Sequence, residues 1–441
     1  MNKQYVLKNK DIEVLRFNVE TIENLEEDIR MSIPYIASIE ILMPNLIPKS
    51  LKLNSDDKDV EKLEKWIENR KVPKNRAFVE HIISAIDNKN FLSYVDVTFA
   101  LSLNDTFWIT PSNNNYQWED YNLYTNSFNE TLALVAFTGY STTIKGLITS
   151  PELTTNGMLK KCWHRNKESN KIELLKGQTQ AYANRGKEAY CEYYMAQIAQ
   201  ALEFEHITYD LKQFHKQLVS SCEIFTNEKY GYISMYDCIE DSELFSKKNT
   251  FKLIATIKEI YTENAFNDLM LFDALICNTD RHLGNYGMLI DNDTNKLVKP
   301  APIFDNGLSF FNHITEHDLK DIASFVKTQV NAMDFSFLEQ IRQSGQKRHI
   351  KNLSKLSNFT FKRHEKYNLP EEWLKLGEKF IQQRSLELIK VIEKKLENKL
   401  DLNHNKNNNT PLNNHSNTPR YPNTPHNRYQ RNDKNNGGME M

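Results

Sequence analysis

The spacing of apolar positions changes along this chain, and each change predicts a different kind of element. Between Phe251 and Cys277 the residues Ile254, Ile257, Ile260, Phe266, Leu269, Met270, Phe272 and Leu275 wrap most of a helical wheel. A surface helix shows a single apolar stripe, so this coverage predicts buried helices. From 371, directly after Pro370, to 399, Trp373, Phe380, Leu388, Ile392 and Leu396 fall on or near one stripe, which predicts a long amphipathic helix closing a helical lobe. Upstream the runs are shorter: 159–164 and 172–176 read as strands flanking the polar turn 166–170, a hairpin. A helix over 186–202 and a strand over 218–225 follow. The pattern predicts a small mixed lobe ahead of a larger helical one.

The first 130 residues say less. Helices are predicted over 59–67 and 77–86 and a strand over 106–110, and none of these segments carries an obvious reaction. Beyond Leu402 the chain is rich in Asn with interspersed Pro and His. Such a stretch buries too little apolar area to offset chain entropy, so 400–441 is expected to be disordered. No repeat is visible at periods of roughly 20–50 residues, which argues against solenoids and propellers.

Composition narrows the partners. With 441 residues, 39% of them apolar, the chain can bury one large core or a few smaller ones. Lys plus Arg total 56 against 58 Asp plus Glu, so no global field of either sign would hold the chain on DNA or an anionic membrane, and neither is an expected partner. Cys162, Cys191, Cys222, Cys238 and Cys277 lie far apart, without the spacing of zinc or redox sites, and are expected to be reduced, mostly buried thiols. The N-terminus lacks the apolar core of a signal peptide, and no apolar run approaches the ~20 residues that span a bilayer. A cytoplasmic enzyme is the expectation.

Phosphoryl transfer asks a protein for metal-holding oxygens, a cation on the phosphates and a base at the acceptor hydroxyl. In Asn278-Thr279-Asp280-Arg281-His282-Leu283-Gly284-Asn285 the carboxylate of Asp280 and the carboxamide of Asn285 stand five residues apart, the interval at which one loop holds a base and a metal ligand. Asp305-Asn306-Gly307 follows the apolar lead-in Pro302-Ile303-Phe304 and resembles a second metal site in order and spacing. Each motif alone also reads as ordinary turn chemistry. Their joint occurrence after a buried helix is the specific signal. A calcium loop beginning at Asp291 fails, because Lys296 stands where the sharp turn needs glycine and Pro302 where a bidentate glutamate belongs.

These motifs resemble those of the HipA-type kinases, and the likeness covers roughly 151–399. It implies an α+β fold of two kinase-like lobes, with 131–225 the small β-rich lobe and 226–399 the helical lobe, preceded by an α/β subdomain of unknown role over 1–130. It also implies ATP and Mg2+ as cofactors. Gly157-Met158-Leu159-Lys160-Lys161 matches the family's glycine loop, which assigns Gly157 and Lys161 to the nucleotide. Lys176 corresponds to the nucleotide lysine, and Glu192 to the helix glutamate that supports it, although a surface glutamate remains the plain alternative. Glu223 and Phe225 match the inter-lobe hinge at adenine, with Phe225 otherwise a core residue. His282 is read as bracing the loop, not as a base. Arg281 either pairs a phosphate or is simply exposed. Thr154 sits where some relatives phosphorylate their own glycine loop, and Thr155 is the second candidate.

The resulting expectation is a serine/threonine protein kinase with a protein substrate, Asn285 and Asp305 on magnesium, Asp280 as base, and an antitoxin or other regulatory partner. Two rivals stand. Asp280-Arg281-His282 with Asn285 also resembles the phosphoinositide kinase loop, so a lipid or small-molecule acceptor is one. A nucleotide-binding regulator without transfer activity is the other, though it would be expected to have lost one of Lys176, Asp280, Asn285 or Asp305.

Overall fold

Period-two alternation builds the first sheet. In Leu15, Phe17 and Val19 the side chains are buried, while Arg16, Asn18 and Glu20 between them reach the surface, the signature of a strand with one covered face. The computed structural model describes residues 3–26, 29–54, 56–74, 76–84, 91–139, 150–155, 157–166, 168–179 and 186–407. Met1–Leu396 form one compact unit and Glu397–Met441 a second. Strands β1 (Lys3–Asn9), β2 (Ile12–Glu26), β3 (Ile29–Ile41) and β4 (Phe107–Pro111) make an antiparallel sheet of order β3-β2-β1-β4. Helices Asp59–Asn69 and Phe91–Thr98 cover it, burying Leu63, Trp66, Ile67 and Val95 with Leu7 and Leu15. The two long strands were not expected from sequence, although their alternation is plain once the paired register is known. The helices near 59 and 77 and the strand near 106 are present as Asp59–Asn69, Val79–Ser84 and Phe107–Pro111.

The second sheet holds β5 (Lys161–Arg165), β6 (Ile172–Lys176), β7 (Asp210–Phe214) and β8 (Gln217–Glu223) in the order β5-β6-β8-β7. The expected hairpin joins β5 to β6. The Asn166 side chain accepts from the Glu168 and Ser169 N–H groups, and Asn170 takes a left-handed φ of 54°, chemistry that asparagine tolerates. Helix Glu188–Ala201 follows, with Glu192 on its buried face.

The third sheet, β9 (Tyr230–Ser234), β10 (Gly287–Asp291) and β11 (Lys296–Pro300), has the order β11-β10-β9. The stretch weighed as a calcium loop is the tip of the β10–β11 hairpin, where Asp291 Oδ1 accepts from the N–H groups of Asp293 and Thr294. Behind it lie helices Thr250–Tyr261, Glu263–Ile276 and Phe337–Ser344. Every residue of Glu263–Ile276 from Phe266 on except Asp268 is buried, as the apolar wheel predicted. The last helix, Glu371–Asn407, runs past the expected end at Lys399. The remainder of the expected disordered tail, 408–441, lies outside the described residues. Cys162, Cys191 and Cys277 are buried, Cys222 and Cys238 half-buried, and none is in a disulfide. Among the described residues no helix is long and apolar enough to cross a membrane.

One close approach fixes where the loop at 278–285 is delivered. A Cβ added to Gly287 would stand 2.1 Å from the Ile233 carbonyl oxygen and 2.8 Å from Ser234 Cα, both backbone atoms that cannot swing aside. Gly287→Ala is therefore expected to lower the unfolding free energy by about 2 kcal/mol or more, read from urea denaturation. An unchanged midpoint would show that β9 and β10 can separate without cost.

Candidate active site

Helix Glu263–Ile276 ends where Cys277 turns left-handed (φ 56°) and its N–H closes on the Asp273 carbonyl. That turn throws the chain into the loop 278–285. Asp273, buried in a helix of apolar neighbours, anchors the loop from below. Arg281 Nε lies 3.0 Å from Asp273 Oδ2 and its Nη2 3.0 Å from Asp273 Oδ1. The same guanidinium donates to the carbonyl of Asn285 at 3.0 Å, to the carbonyl of Phe304, and to Asn306 Oδ1 at 2.8 Å. Arg281 is 3% exposed and Asp273 1%. The exposed alternative for Arg281 is thereby corrected: it is buried beside the cleft, with its guanidinium given to Asp273, Asn285, Phe304 and Asn306. It ties three segments together, because a planar fork can serve several acceptors at once.

Two of those segments carry oxygens toward a cleft of about 1160 Å³. Asn285 Nδ2 donates to the Asp280 carbonyl at 2.8 Å and approaches its Oδ2 at 3.4 Å. His282 Nδ1 accepts from the Gly284 N–H at 3.1 Å, a contact that braces the loop. On the other side Asp305 takes a left-handed φ of 57°, a conformation that costs a non-glycine residue about 1 kcal/mol and that aspartate tolerates better than most. Its neighbours hold it there. The Asp305 N–H donates to Tyr209 Oη at 3.2 Å, the Asp305 carbonyl accepts from Asn278 Nδ2 at 3.4 Å, and the Asn306 N–H donates to Glu192 Oε2 at 2.7 Å.

Lys176, at the end of β6, lies between two carboxylates: Glu192 Oε1 at 2.9 Å and Asp305 Oδ1 in direct contact. Burial opposes the Lys176 charge, but Asp305 and Glu192 outweigh it and hold its pKa above the ordinary lysine value. Burial likewise opposes the Asp305 charge, and Lys176, Lys161 and Arg281 overcome it, so its pKa lies below the ordinary carboxylate range. The stability that this depressed carboxylate contributes is complete at neutral pH and is lost only as the pH falls through the acid range. Glu192 is fully buried, and burial pushes its carboxyl up against the pull of Lys176. One ammonium thus contacts two carboxylates. Asp280 is also pushed up, by burial first and by Asp305, with His282 opposing.

The structure brings most of the candidate residues to one place. Thr154, Thr155, Gly157, Lys161, Lys176, Glu192, Phe225, Arg281, His282, Asn285 and Asp305 all line the cleft. Asp280 is not among the lining residues, and its carbonyl accepts from the Nδ2 of Asn285, which does line the cleft. Glu223 lines the rim, but its carboxylate pairs with Lys171 Nζ at 2.7 Å on the outer surface, and the adjacent Ile224 N–H is already given to the Ile172 carbonyl. Phe225 packs with Tyr232 (5.6 Å between ring centres) and Phe304 (5.5 Å) to form an aromatic wall. Lys161 is half-buried, and desolvation, with Arg76 and Lys176 beside it, brings its ammonium down to about 7 against the pull of Asp305 and Glu192. Sequence reasoning missed Asp273, Tyr209, Tyr232, Phe304 and Arg76. A carboxylate inside an otherwise apolar helix was the available signal for Asp273. The others carried none.

A magnesium ion prefers oxygen ligands and keeps waters and phosphate oxygens in its shell. The carboxylate of Asp305 and the amide oxygen of Asn285 suit it. Among the described residues no group of three or more His, Cys, Asp or Glu could hold a metal, so a cation here would take its remaining ligands from substrate and solvent.

Removing one partner of a buried ion pair leaves the other charge stranded. Arg281→Ala is expected to cost about 3–5 kcal/mol in urea unfolding. Arg281→Lys should recover little, since an ammonium cannot reach the same set of acceptors. A loss below about 1 kcal/mol for Arg281→Ala would mean that the three segments are held by other contacts.

No family model matches the chain, and no curated protein does. Solved structures do. HipA of Shewanella oneidensis MR-1, from a toxin–antitoxin complex with HipB and operator DNA, superposes with a TM-score of 0.51 at 13% identity, covering 88% of this chain and 99% of that one. The Helicobacter pylori proinflammatory kinase CtkA gives a TM-score of 0.45 at 17% identity, covering 55% of this chain and 93% of that one. The chain has the α+β, two-lobed fold of the HipA-like kinases.

Proposed function

We propose that the chain is an ATP- and magnesium-dependent kinase that transfers the γ-phosphate to a serine or threonine hydroxyl of a protein. The observation that carries this reading is Lys176, held between Glu192 and Asp305 in the cleft that Asn285 also lines. A lysine held half-buried between two carboxylates is an arrangement that phosphoryl transfer uses to orient an ammonium toward the α- and β-phosphates.

Bound between Asn285 and Asp305, magnesium would neutralise charge on the β- and γ-phosphates. Lys176 would leave part of its contact with Asp305 to meet the phosphates, with Glu192 retaining it. Lys161, already brought down to about 7, would take up a proton as phosphate approaches and add a second cation. Asp280 would accept the proton of the acceptor hydroxyl, and its raised pKa improves it as a base. Phe225, Tyr232 and Phe304 offer an apolar wall for the adenine ring.

Self-phosphorylation at Thr154 or Thr155 belongs to the same proposal. Thr155 Oγ1 donates to the Pro151 carbonyl at 2.5 Å and Thr154 is 9% exposed, so this segment would have to leave its place to be modified. A phosphate there would set about two negative charges beside the nucleotide's own and weaken its binding. The likeness to HipA, which was solved with HipB, supports a regulatory protein partner of the antitoxin kind.

Asp280→Asn should keep the fold and the unfolding midpoint while abolishing transfer of label from ATP to the chain itself and to proteins of a cell lysate. Mass spectrometry of the wild-type reaction is expected to place phosphate on Thr154 or Thr155. Undiminished labelling by the Asp280 variant would remove the assignment of the base.

A further inference from the structure

Residues 1–130 offer no reaction of their own, yet one of them reaches the glycine loop. Arg76 stands just ahead of helix Val79–Ser84 and is 3% exposed. Its Nη1 donates to the Gly157 carbonyl at 2.8 Å and its Nη2 to the Lys161 carbonyl at 3.1 Å. The backbone around it grips the same stretch: the Val72 N–H donates to the Leu153 carbonyl at 2.9 Å and the Ala77 N–H to the Met158 carbonyl at 3.0 Å. Glu152, fully buried, faces the Arg76 guanidinium electrostatically and is itself fixed by the Trp163 N–H at 2.9 Å and by Ser150. Placing a guanidinium this deep is expensive unless its partners are fixed in geometry, and here they are.

The loop it holds is tightly curled. Gly157 has a φ of 97°, and a Cβ there would stand 2.3 Å from Lys161 Nζ, so the lysine folds back over the glycine. A glycine-centred loop has many conformations open to it. A two-pronged donor that ties the carbonyls at its start and end fixes the separation between them, which a single-point cation cannot do. Gly157 and Lys161 both line the cleft with Lys176 and Asp305.

We propose that Arg76 is a positioning residue for the phosphates of the nucleotide, and that Val72, Arg76 and Ala77 together are the brace that sets the curvature of the glycine loop. This rests on the reading of the cleft as an ATP site. Arg76 touches no substrate. It acts through the loop, so its effect falls on ligands that carry phosphates and spares those that do not.

The test is calorimetric titration of the full chain with ATP and, separately, with adenosine, both with magnesium, for wild type, Arg76→Ala and Arg76→Lys. Arg76→Ala is expected to weaken ATP about tenfold or more while leaving adenosine unchanged, and Arg76→Lys to fall between. ATP and adenosine weakening together would make Arg76 a general prop of the fold and overturn the inference, as would an ATP affinity insensitive to both substitutions. Should Arg76→Ala fail to fold, Arg76→Lys decides by the same comparison: selective loss of ATP supports the inference and no loss overturns it. A wild type that binds adenosine but not ATP, or neither, removes the nucleotide reading and this inference with it. A wild type that binds ATP alongside insensitive variants removes the inference alone.

Discussion

The ion pair between Arg281 and Asp273 is the contact on which the site depends. Both side chains are buried, and the guanidinium also serves acceptors on Asn285, Phe304 and Asn306. A buried pair of this kind adds little net stability over an apolar replacement, because desolvation consumes most of the Coulombic gain. What it supplies is registry. The helix carrying Asp273 runs directly into the loop carrying Asp280 and Asn285, the turn carrying Asp305 comes from a separate stretch of chain, and one planar group sets their relative positions. If the fork were lost, each segment would keep its local structure, but the oxygens would no longer face the same cleft.

Around that clamp the charges are arranged so that no ion stands alone. Lys176 bridges Glu192 and Asp305, and Glu192 in turn receives the Asn306 N–H. The helix glutamate, the strand lysine and the left-handed aspartate therefore constrain one another, and Asp305 can keep a backbone conformation that would otherwise relax. Lys161, a short distance along the wall, is brought far below an ordinary lysine by desolvation and by the cations Arg76 and Lys176, against the pull of Asp305 and Glu192.

Much of this was legible in the chain. The buried helices between 250 and 276, the β5–β6 hairpin and the final helix follow from apolar period and turn chemistry, both local properties. The pairing of Asp280 with Asn285 followed from a fixed interval within one loop, and Asp305 from its place after an apolar lead-in. Other features were not legible. The long strands β2 and β3 were not among the expected elements, and they are fixed by pairing, β2 with β1 and β3 with β2. Glu223 looked like part of a hinge because of its neighbours in sequence. It lines the cleft beside Phe225, and its carboxylate pairs with Lys171 across the β6–β8 pair.

Sequence by itself determined the chemical inventory: which carboxylates, amides and ammonium groups the chain owns, and which of them one loop or one strand must keep within a few residues of each other. It could not determine how groups far apart in number would meet. Arg281 shows the difference, since its residue type allowed a phosphate partner, an exposed position or a buried pair with equal ease, and only the packing of Asp273 beneath it chose among them. Arg76 shows it again, placed on the glycine loop from more than eighty residues upstream of Gly157 by the N-terminal core. Local propensity is read along the chain. Burial and ion pairing depend on the solvent each group loses when distant segments pack, and that loss exists only in the folded molecule.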